Sequence, residues 1–292
     1  MCVCVCYYLS LHFFLSLSLS LSSSEKSSLN APHDHSSSPR RTEGSTKCTK
    51  FSHQHMPVVF VHGIGIGFAH YLGVILSLPK DVDVYLVEWP HVSMQLTSLV
   101  PSIEHTVKSI CRLLDNDHHQ KACFLTHSLG STAVSWMLHD NNAKKRVGAT
   151  VLLDPVTFLL CDPTVASSFI HREPESTFEF LVHFFVAREL HVANALSRHF
   201  SWSHNIVFAE ELPVPRKGSK TKIANSIFLA SHDGIIPTAA VSRYLEAKRV
   251  TGQDSGSIEQ LWFEGAHGEM MLHPRWVKSI VQKVREKVYN LE

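Results

Sequence analysis

The stretch FLTHSLGSTAV, residues 124–134, changes character within a few positions. Its start continues an apolar run with the length of a buried strand, and its end begins a pattern with helical spacing. Between these parts lies THSLG, with Ser128 at its centre and Gly130 two residues later. The pattern predicts a strand that turns sharply into a helix, so that the side chain of Ser128 stands above the edge of a sheet.

The sequence around this stretch repeats the same alternation of strand and helix. Six apolar runs of strand length are PVVFVHG, DVDVYLVEW, KACFLTH, VGATVLLDP, SIFLASHD and IEQLWFEG, and stretches of helical period separate most of them. This alternation is typical of β-α units and of a mostly parallel sheet that is covered by helices on both faces. We therefore predict one doubly wound α/β domain over residues 56–292.

One long interval interrupts the alternation. Roughly seventy residues separate the fourth predicted strand from the fifth, which is too many for an ordinary loop, so we predict an insertion over about residues 158–224. Its middle is aromatic and has helical period. The apolar residues of this part are Phe178, Phe180, Leu181, Phe184, Phe185, Val186 and Leu190. We expect most of them to pack the insertion on the domain and some to face a pocket.

The first 55 residues form a different kind of sequence, which we predict to be of low complexity and disordered. Residues 1–21 have the apolar centre of a signal peptide or a short membrane anchor, but they lack a basic start and a small-residue cleavage site. Alternating Cys-Val and Leu-Ser are also what two-base repeats in a gene encode. The segment can therefore be interpreted as a signal, as an anchor or as a gene-model artefact. The location of the protein stays open in the same way, between the cytoplasm and a membrane bound through this segment.

Composition excludes several classes of function. The formal net charge is +1, so no field would gather nucleic acid. The seven cysteines and 21 histidines show no metal-ligand spacing. The glycine-rich GIGIGFAH lacks the lysine of a phosphate-binding loop, and its third glycine comes one place early for a dinucleotide fingerprint. We therefore expect no metal, no cofactor and no nucleic-acid partner.

The chemistry of THSLG depends on Ser128. A serine hydroxyl becomes a nucleophile when a base removes its proton and the oxygen is exposed to a substrate. The turn that exposes it needs small residues two positions before and after the serine; Gly130 meets this need, and Thr126 meets it in part. A plain helix N-cap is the alternative interpretation. The segment resembles the nucleophile elbow of the α/β-hydrolase superfamily, with THSLG where G-x-S-x-G is usual.

The resemblance implies an oxyanion hole beside Ser128. In VVFVHGIGIG, glycines that directly follow a predicted strand allow backbone N–H groups to approach a developing negative charge. We expect the hole to consist of the N–H of Leu129 and that of Gly63 or Ile64.

The same resemblance implies a base and an acid at later strand ends, in the chain order Ser, acid, His. His267 follows the last predicted strand and is the expected base. Asp233 follows the strand before it and is the expected acid. Asp154, at the end of the fourth strand, is the alternative acid. These residues would meet at the carboxyl edge of the sheet.

The function that follows from the resemblance is hydrolysis of a carboxylic ester or lipid-like ester through an acyl-enzyme. The predicted insertion would form a helical cap over the site, and the predicted substrate is a small, hydrophobic ester. Two alternatives stay open. One is a non-catalytic protein of the same fold that binds a ligand or acts as a receptor, and the other is an acyltransferase, which shares the acyl-enzyme.

Overall fold

A sheet of seven strands organises the residues that the computed structural model describes, which are 4–5, 55–97, 99–162, 189–215, 223–250 and 257–289. The strands are β1 (Cys4–Val5), β2 (Val58–Val61), β3 (Val84–Val87), β4 (Ala122–His127), β5 (Val147–Leu153), β6 (Asn225–Ala230) and β7 (Ile258–Phe263). The α-helices are α1 (Leu72–Ser77), α2 (Ile103–Asn116), α3 (Ser131–His139), α4 (Leu190–Asn194), α5 (Thr238–Val250) and α6 (Pro274–Val288). Short 3-10 turns join several of them.

The order of the strands confirms the predicted fold class. They lie in the order β1-β3-β2-β4-β5-β6-β7, and all neighbouring pairs except one are parallel. The exception is β1, which pairs antiparallel with β3 and places Cys4 opposite Val87. All six strands predicted from the sequence are present, and β1 adds an antiparallel edge from the N-terminal segment. The chain moves outward from β2 to β3 and then returns to the other side of β2 as β4.

Each strand contributes to two cores because neighbouring side chains point to opposite faces of the sheet. In β2, Val59 and Val61 pack with residues of α2, α3 and α5, whereas Val58 and Phe60 pack with α1 and α6. All four residues of β2 are buried. A side chain buried to this extent contributes roughly 1.5–3 kcal/mol to stability. The two layers of helices therefore hold the central strands, and with them the loops at their carboxyl ends, in fixed positions.

The insertion leaves the sheet after β5 and returns at β6. Its described part contains α4 and is attached to α3, because Trp136 Nε1 donates to Asn205 Oδ1 at 2.6 Å and Ser135 Oγ lies 2.8 Å from the carbonyl oxygen of Ile206. Leu190 is 74% exposed and packs little. The other six apolar residues named for the insertion, like residues 163–188 as a whole, lie outside the described residues. Their helical arrangement over the site stays a prediction.

Membrane association also stays a prediction. Among the described helices, none is both long and apolar enough to cross a bilayer. The candidate signal or anchor, residues 1–21, lies outside the described part of the chain apart from β1.

Candidate active site

The turn that follows β4 displays Ser128. The strand is buried along its whole length and ends at His127. Ser128 then adopts a φ of 50°, a left-handed conformation that costs a residue other than glycine about 1–3 kcal/mol. Gly130 has an ordinary helical φ of −56°, but a Cβ at this position would lie 2.4 Å from the carbonyl oxygen of Val61 and 2.6 Å from that of His62. The glycine is therefore required for space, since the end of β2 passes directly over the turn.

Three side chains that are distant in sequence meet above the carboxyl ends of β4, β6 and β7. Ser128 Oγ lies 2.8 Å from His267 Nε2, and His267 Nδ1 lies 2.7 Å from Asp233 Oδ2. The other carboxylate oxygen, Asp233 Oδ1, accepts the N–H groups of Ile235 and Ile236, both at 2.8 Å. A neutral imidazole that donates from Nδ1 to the carboxylate has its Nε2 lone pair free to accept the Ser128 proton.

The charges around His267 favour its protonated form. Burial alone would lower the pKa of His267, but the Asp233 carboxylate acts against burial through its charge and its hydrogen bond. The charge of Asp154 acts in the same direction, and the result is a pKa of about 9 for His267. The arrangement therefore stabilises the protonated, imidazolium form of His267.

Asp154, the alternative acid, lies in the same region but is bonded differently. It is fully buried with a φ of 41°, its Oδ1 accepts the N–H of Ala230, and its Oδ2 accepts the N–H of Gly268, both at 2.8 Å. Burial raises the pKa of Asp154 to about 6. Asp233 is therefore the carboxylate that contacts the ring of His267, whereas Asp154 accepts the backbone N–H of Gly268.

Asp154, Asp233 and His267 offer ligand atoms that lie within 4.8 Å of one another, so we tested them as a metal site. All four carboxylate oxygens already accept a hydrogen bond from a backbone N–H or contact the His267 ring. A cation would have to displace these bonds. The donor set fits an orienting role for the carboxylates better than metal ligation, and the expected absence of a metal stays a prediction.

The glycine-rich loop after β2 lies against the turn. A Cβ at Gly63 would approach His127 Nδ1 to 2.8 Å and Ser128 Cβ to 3.0 Å. The N–H of Gly63 already has a partner, because it donates to the hydroxyl of Tyr71 at 2.8 Å. Tyr71 was not predicted as a site residue, because FAHYLGVILSL, residues 68–78, has the apolar pattern of a helix. Of the two candidate donors in the loop, Ile64 is the one without this internal bond.

Comparison with known proteins gives the fold a name. No family model matches the sequence, and no curated protein does. Among solved structures, 2-hydroxy-6-oxo-6-phenylhexa-2,4-dienoate hydrolase from Rhodococcus sp. strain RHA1 is similar with a TM-score of 0.52 and 16% identity, over 81% of this chain and 91% of that one. Naproxen esterase from Bacillus subtilis is similar with a TM-score of 0.50 and 17% identity, over 78% and 82%. The protein has the α/β-hydrolase fold.

A third similar structure is the meta-cleavage product hydrolase of Pseudomonas fluorescens IP01, with a TM-score of 0.51 and 14% identity over 79% of this chain and 91% of that one. In an α/β-hydrolase fold, nucleophile, acid and base follow one another along the chain and lie at the carboxyl ends of strands. Ser128 after β4, Asp233 after β6 and His267 after β7 have this order and this location.

A cavity of about 450 Å³ opens beside the turn of this α/β-hydrolase fold. Leu129, the residue after Ser128, lines it together with residues of α3, the loop after β3, the start of α2 and the insertion. Its apolar lining residues are Trp89, Val100, Pro101, Ile103, Leu129, Trp136, Ala195, Leu196 and Phe200. None of its described lining residues is a lysine or arginine, and burial lowers the pKa of His91 in its wall to about 4. The described walls are therefore mostly apolar and contain no lysine or arginine. Their polar residues are His91, Ser102, Glu104, Thr132, His199 and Asn205.

Proposed function

We propose that the protein is a serine hydrolase that cleaves a neutral carboxylic ester with an apolar acyl or alcohol group. The observation that carries this proposal is the continuous chain from Ser128 through His267 to Asp233, with separations of 2.8 and 2.7 Å. The similar structures include an esterase and two other hydrolases, which supports hydrolysis in general.

The proposed reaction begins with Ser128. Its oxygen attacks the ester carbonyl while His267 Nε2 takes the hydroxyl proton, and Asp233 stabilises the resulting imidazolium. The tetrahedral intermediate then collapses, the bond to the alcohol oxygen breaks, and His267 returns the proton to the leaving alcohol. Water repeats both steps on the acyl-enzyme, so that the carboxylic acid leaves and Ser128 regains its proton.

The negative charge of the intermediate needs backbone donors. We assign this role to the N–H of Leu129, at the start of the helical segment that follows Ser128, and to that of Ile64. The choice of Ile64 over Gly63 rests on the bond between Gly63 and Tyr71.

The cavity beside Leu129 supports an apolar, uncharged group in the substrate. A carboxylate placed there would lose its water and find no lysine or arginine among the described lining residues. In this respect the proposed substrate differs from the dienoate named for the Rhodococcus hydrolase, which is an anion.

The experiment is labelling of the full chain with a fluorophosphonate probe. Wild type and Ser77→Ala should react, because Ser77 is exposed on α1 and its hydroxyl donates to the carbonyl of Gly73. Ser128→Ala should not react, although it should unfold at a similar urea concentration. A folded wild type that neither reacts nor hydrolyses p-nitrophenyl butyrate would refute the proposal in favour of ligand binding. Turnover of p-nitrophenyl butyrate that requires an added alcohol, and yields that alcohol's ester instead of the carboxylic acid, would indicate acyl transfer.

A further inference from the structure

One buried hydroxyl joins the glycine-rich loop to the turn that carries Ser128. Tyr71 is fully buried, accepts the N–H of Gly63 at 2.8 Å, and has its hydroxyl oxygen 2.7 Å from His127 Nδ1. His127 directly precedes Ser128, and Gly63 directly precedes Ile64. The phenol thus connects the residue before the proposed nucleophile with the residue before a proposed oxyanion donor.

The protons in this network can be assigned by counting unpaired groups. Burial holds the pKa of His127 well below its ordinary value, so the ring is neutral. If Tyr71 donates to Nδ1, the hydroxyl both donates and accepts, and the Nε2 proton is the one unpaired group. If His127 donates instead, both the Tyr71 proton and the Nε2 lone pair lack partners among the described residues. Each unpaired buried group costs about 1–3 kcal/mol, so donation from Tyr71 is favoured.

A second histidine fixes the other side of Gly63. Burial lowers the pKa of His62 to about 4, and its Nε2 accepts the N–H of Trp89 at 2.9 Å. Nδ1 therefore carries the proton and donates to the carbonyl oxygen of Gly63 at 2.6 Å. Because the C=O and N–H of a trans peptide point in opposite directions, this bond turns the N–H of Ile64 away from His62.

The His127 ring also touches the loop of the proposed base. A Cβ at Gly268 would lie 3.0 Å from His127 Nε2, and a Cβ at Gly63 would lie 2.8 Å from Nδ1. The ring is thus held between two glycines, one beside the proposed oxyanion hole and one beside His267. The centres of the His127 and His267 rings are 5.2 Å apart. A shift of the ring would be transmitted to both loops.

We propose that Tyr71 is a positioning residue, which sets the oxyanion hole by holding the Gly63 peptide and the His127 ring at a fixed separation. It contacts no substrate and acts through Ile64 and Ser128. This inference rests on the proposed function, because the hole has a purpose only if an oxyanion forms.

The test compares Tyr71→Phe with a matched control. Phenylalanine retains the ring of Tyr71, which packs edge-on against Phe60, and removes only the hydroxyl. Tyr85→Phe also removes a hydroxyl from a buried tyrosine, one that donates to Asp117, directly after α2. We expect Tyr71→Phe to lower kcat by at least about tenfold with KM changed less than about twofold, because preorganised donors act in the transition state. Tyr85→Phe should leave kcat and KM near those of wild type.

The outcomes separate the two proposals. If wild type reacts and Tyr71→Phe matches Tyr85→Phe in kcat, the positioning role is overturned while the hydrolase proposal stands. If folded wild type shows neither labelling nor turnover, both are refuted. If Tyr71→Phe does not fold, His127→Asn and His127→Leu replace it, since the Asn oxygen can accept the Tyr71 proton and Leu cannot. If His127→Asn retains kcat and His127→Leu loses it, the positioning role is supported. If the two variants have equal kcat, the role is overturned.

Discussion

Gly130→Ala tests the geometry of the serine turn most directly. The added Cβ would lie 2.4 Å from the carbonyl oxygen of Val61, whereas ordinary contacts of this kind begin at 3.4 Å. The end of β2 must therefore retreat by about 1 Å, and the glycine-rich loop that follows must move with it. Because both Val61 and His62 oppose the new methyl group, we expect a loss near the upper end of the overpacking range, about 3 kcal/mol.

The same shift should slow the proposed chemistry. A misplacement of about 1 Å in a catalytic arrangement can cost on the order of a hundredfold in rate. We expect the rate constant of fluorophosphonate labelling to fall by this order at a temperature where the variant is still folded.

Gly73→Ala is the matched control for this substitution. Gly73 lies within α1, and a Cβ there would meet no atom within 4 Å. Alanine should stabilise this helix by about 0.5–1 kcal/mol and leave labelling unchanged. Urea unfolding of the two variants would measure the difference in the free energy of unfolding. A Gly130→Ala protein that matches wild type in both unfolding and labelling would show that β2 does not lie against the turn as described.

Three further predictions concern the acids and the cavity. Asp233→Asn should slow labelling by about 10⁴-fold, since the imidazolium loses its partner. Asp154→Asn should slow labelling by much less. A larger effect of Asp154→Asn than of Asp233→Asn would make Asp154 the acid. In wild type, kcat/KM should rise with pH towards about 9, because protonated His267 cannot accept a proton. Asp154→Asn removes a negative charge that raises the pKa of His267, so the acidic limb of the pH–rate profile should move to lower pH. A limb that does not move would contradict this arrangement. Ala195→Phe should raise KM for p-nitrophenyl octanoate but not for the acetate, and equal effects on both esters would place the apolar group elsewhere.

The sequence was sufficient to predict the sheet and the neighbourhood of the site. Parallel strands bring their carboxyl ends to one edge, so residues after β4, β6 and β7 had to lie near one another once the strands were assigned. The order Ser, acid, His then restricted the candidates to a few residues. The antiparallel edge strand Cys4–Val5 was not predicted, because two residues carry too little periodicity to indicate a strand.

The hydrogen bonds within the site could not be read from the sequence. Asp154 and Asp233 both follow strands, and the sequence does not show which carboxylate reaches the ring of His267 and which accepts the N–H of Gly268. Tyr71 looked like an apolar helix residue because its role depends on the direction in which one hydroxyl points. Gly130 also illustrates the limit, since a glycine needed for space and one needed for its φ look identical in a sequence.

Ser128 and Asp154 both have a left-handed backbone, and at Ser128 this conformation sets stability against activity. Both residues adopt φ values of 40–50° that glycine accepts at little cost and asparagine accepts more readily than most residues. Selection for heat resistance alone should therefore enrich glycine at position 128, and this replacement removes the oxygen that the proposed reaction requires. At position 154 the bonds of Asp154 to the N–H groups of Ala230 and Gly268 oppose the same replacement. Evolution of this protein towards greater stability would pass through inactive sequences at position 128, so gains in stability have to come from elsewhere in the fold.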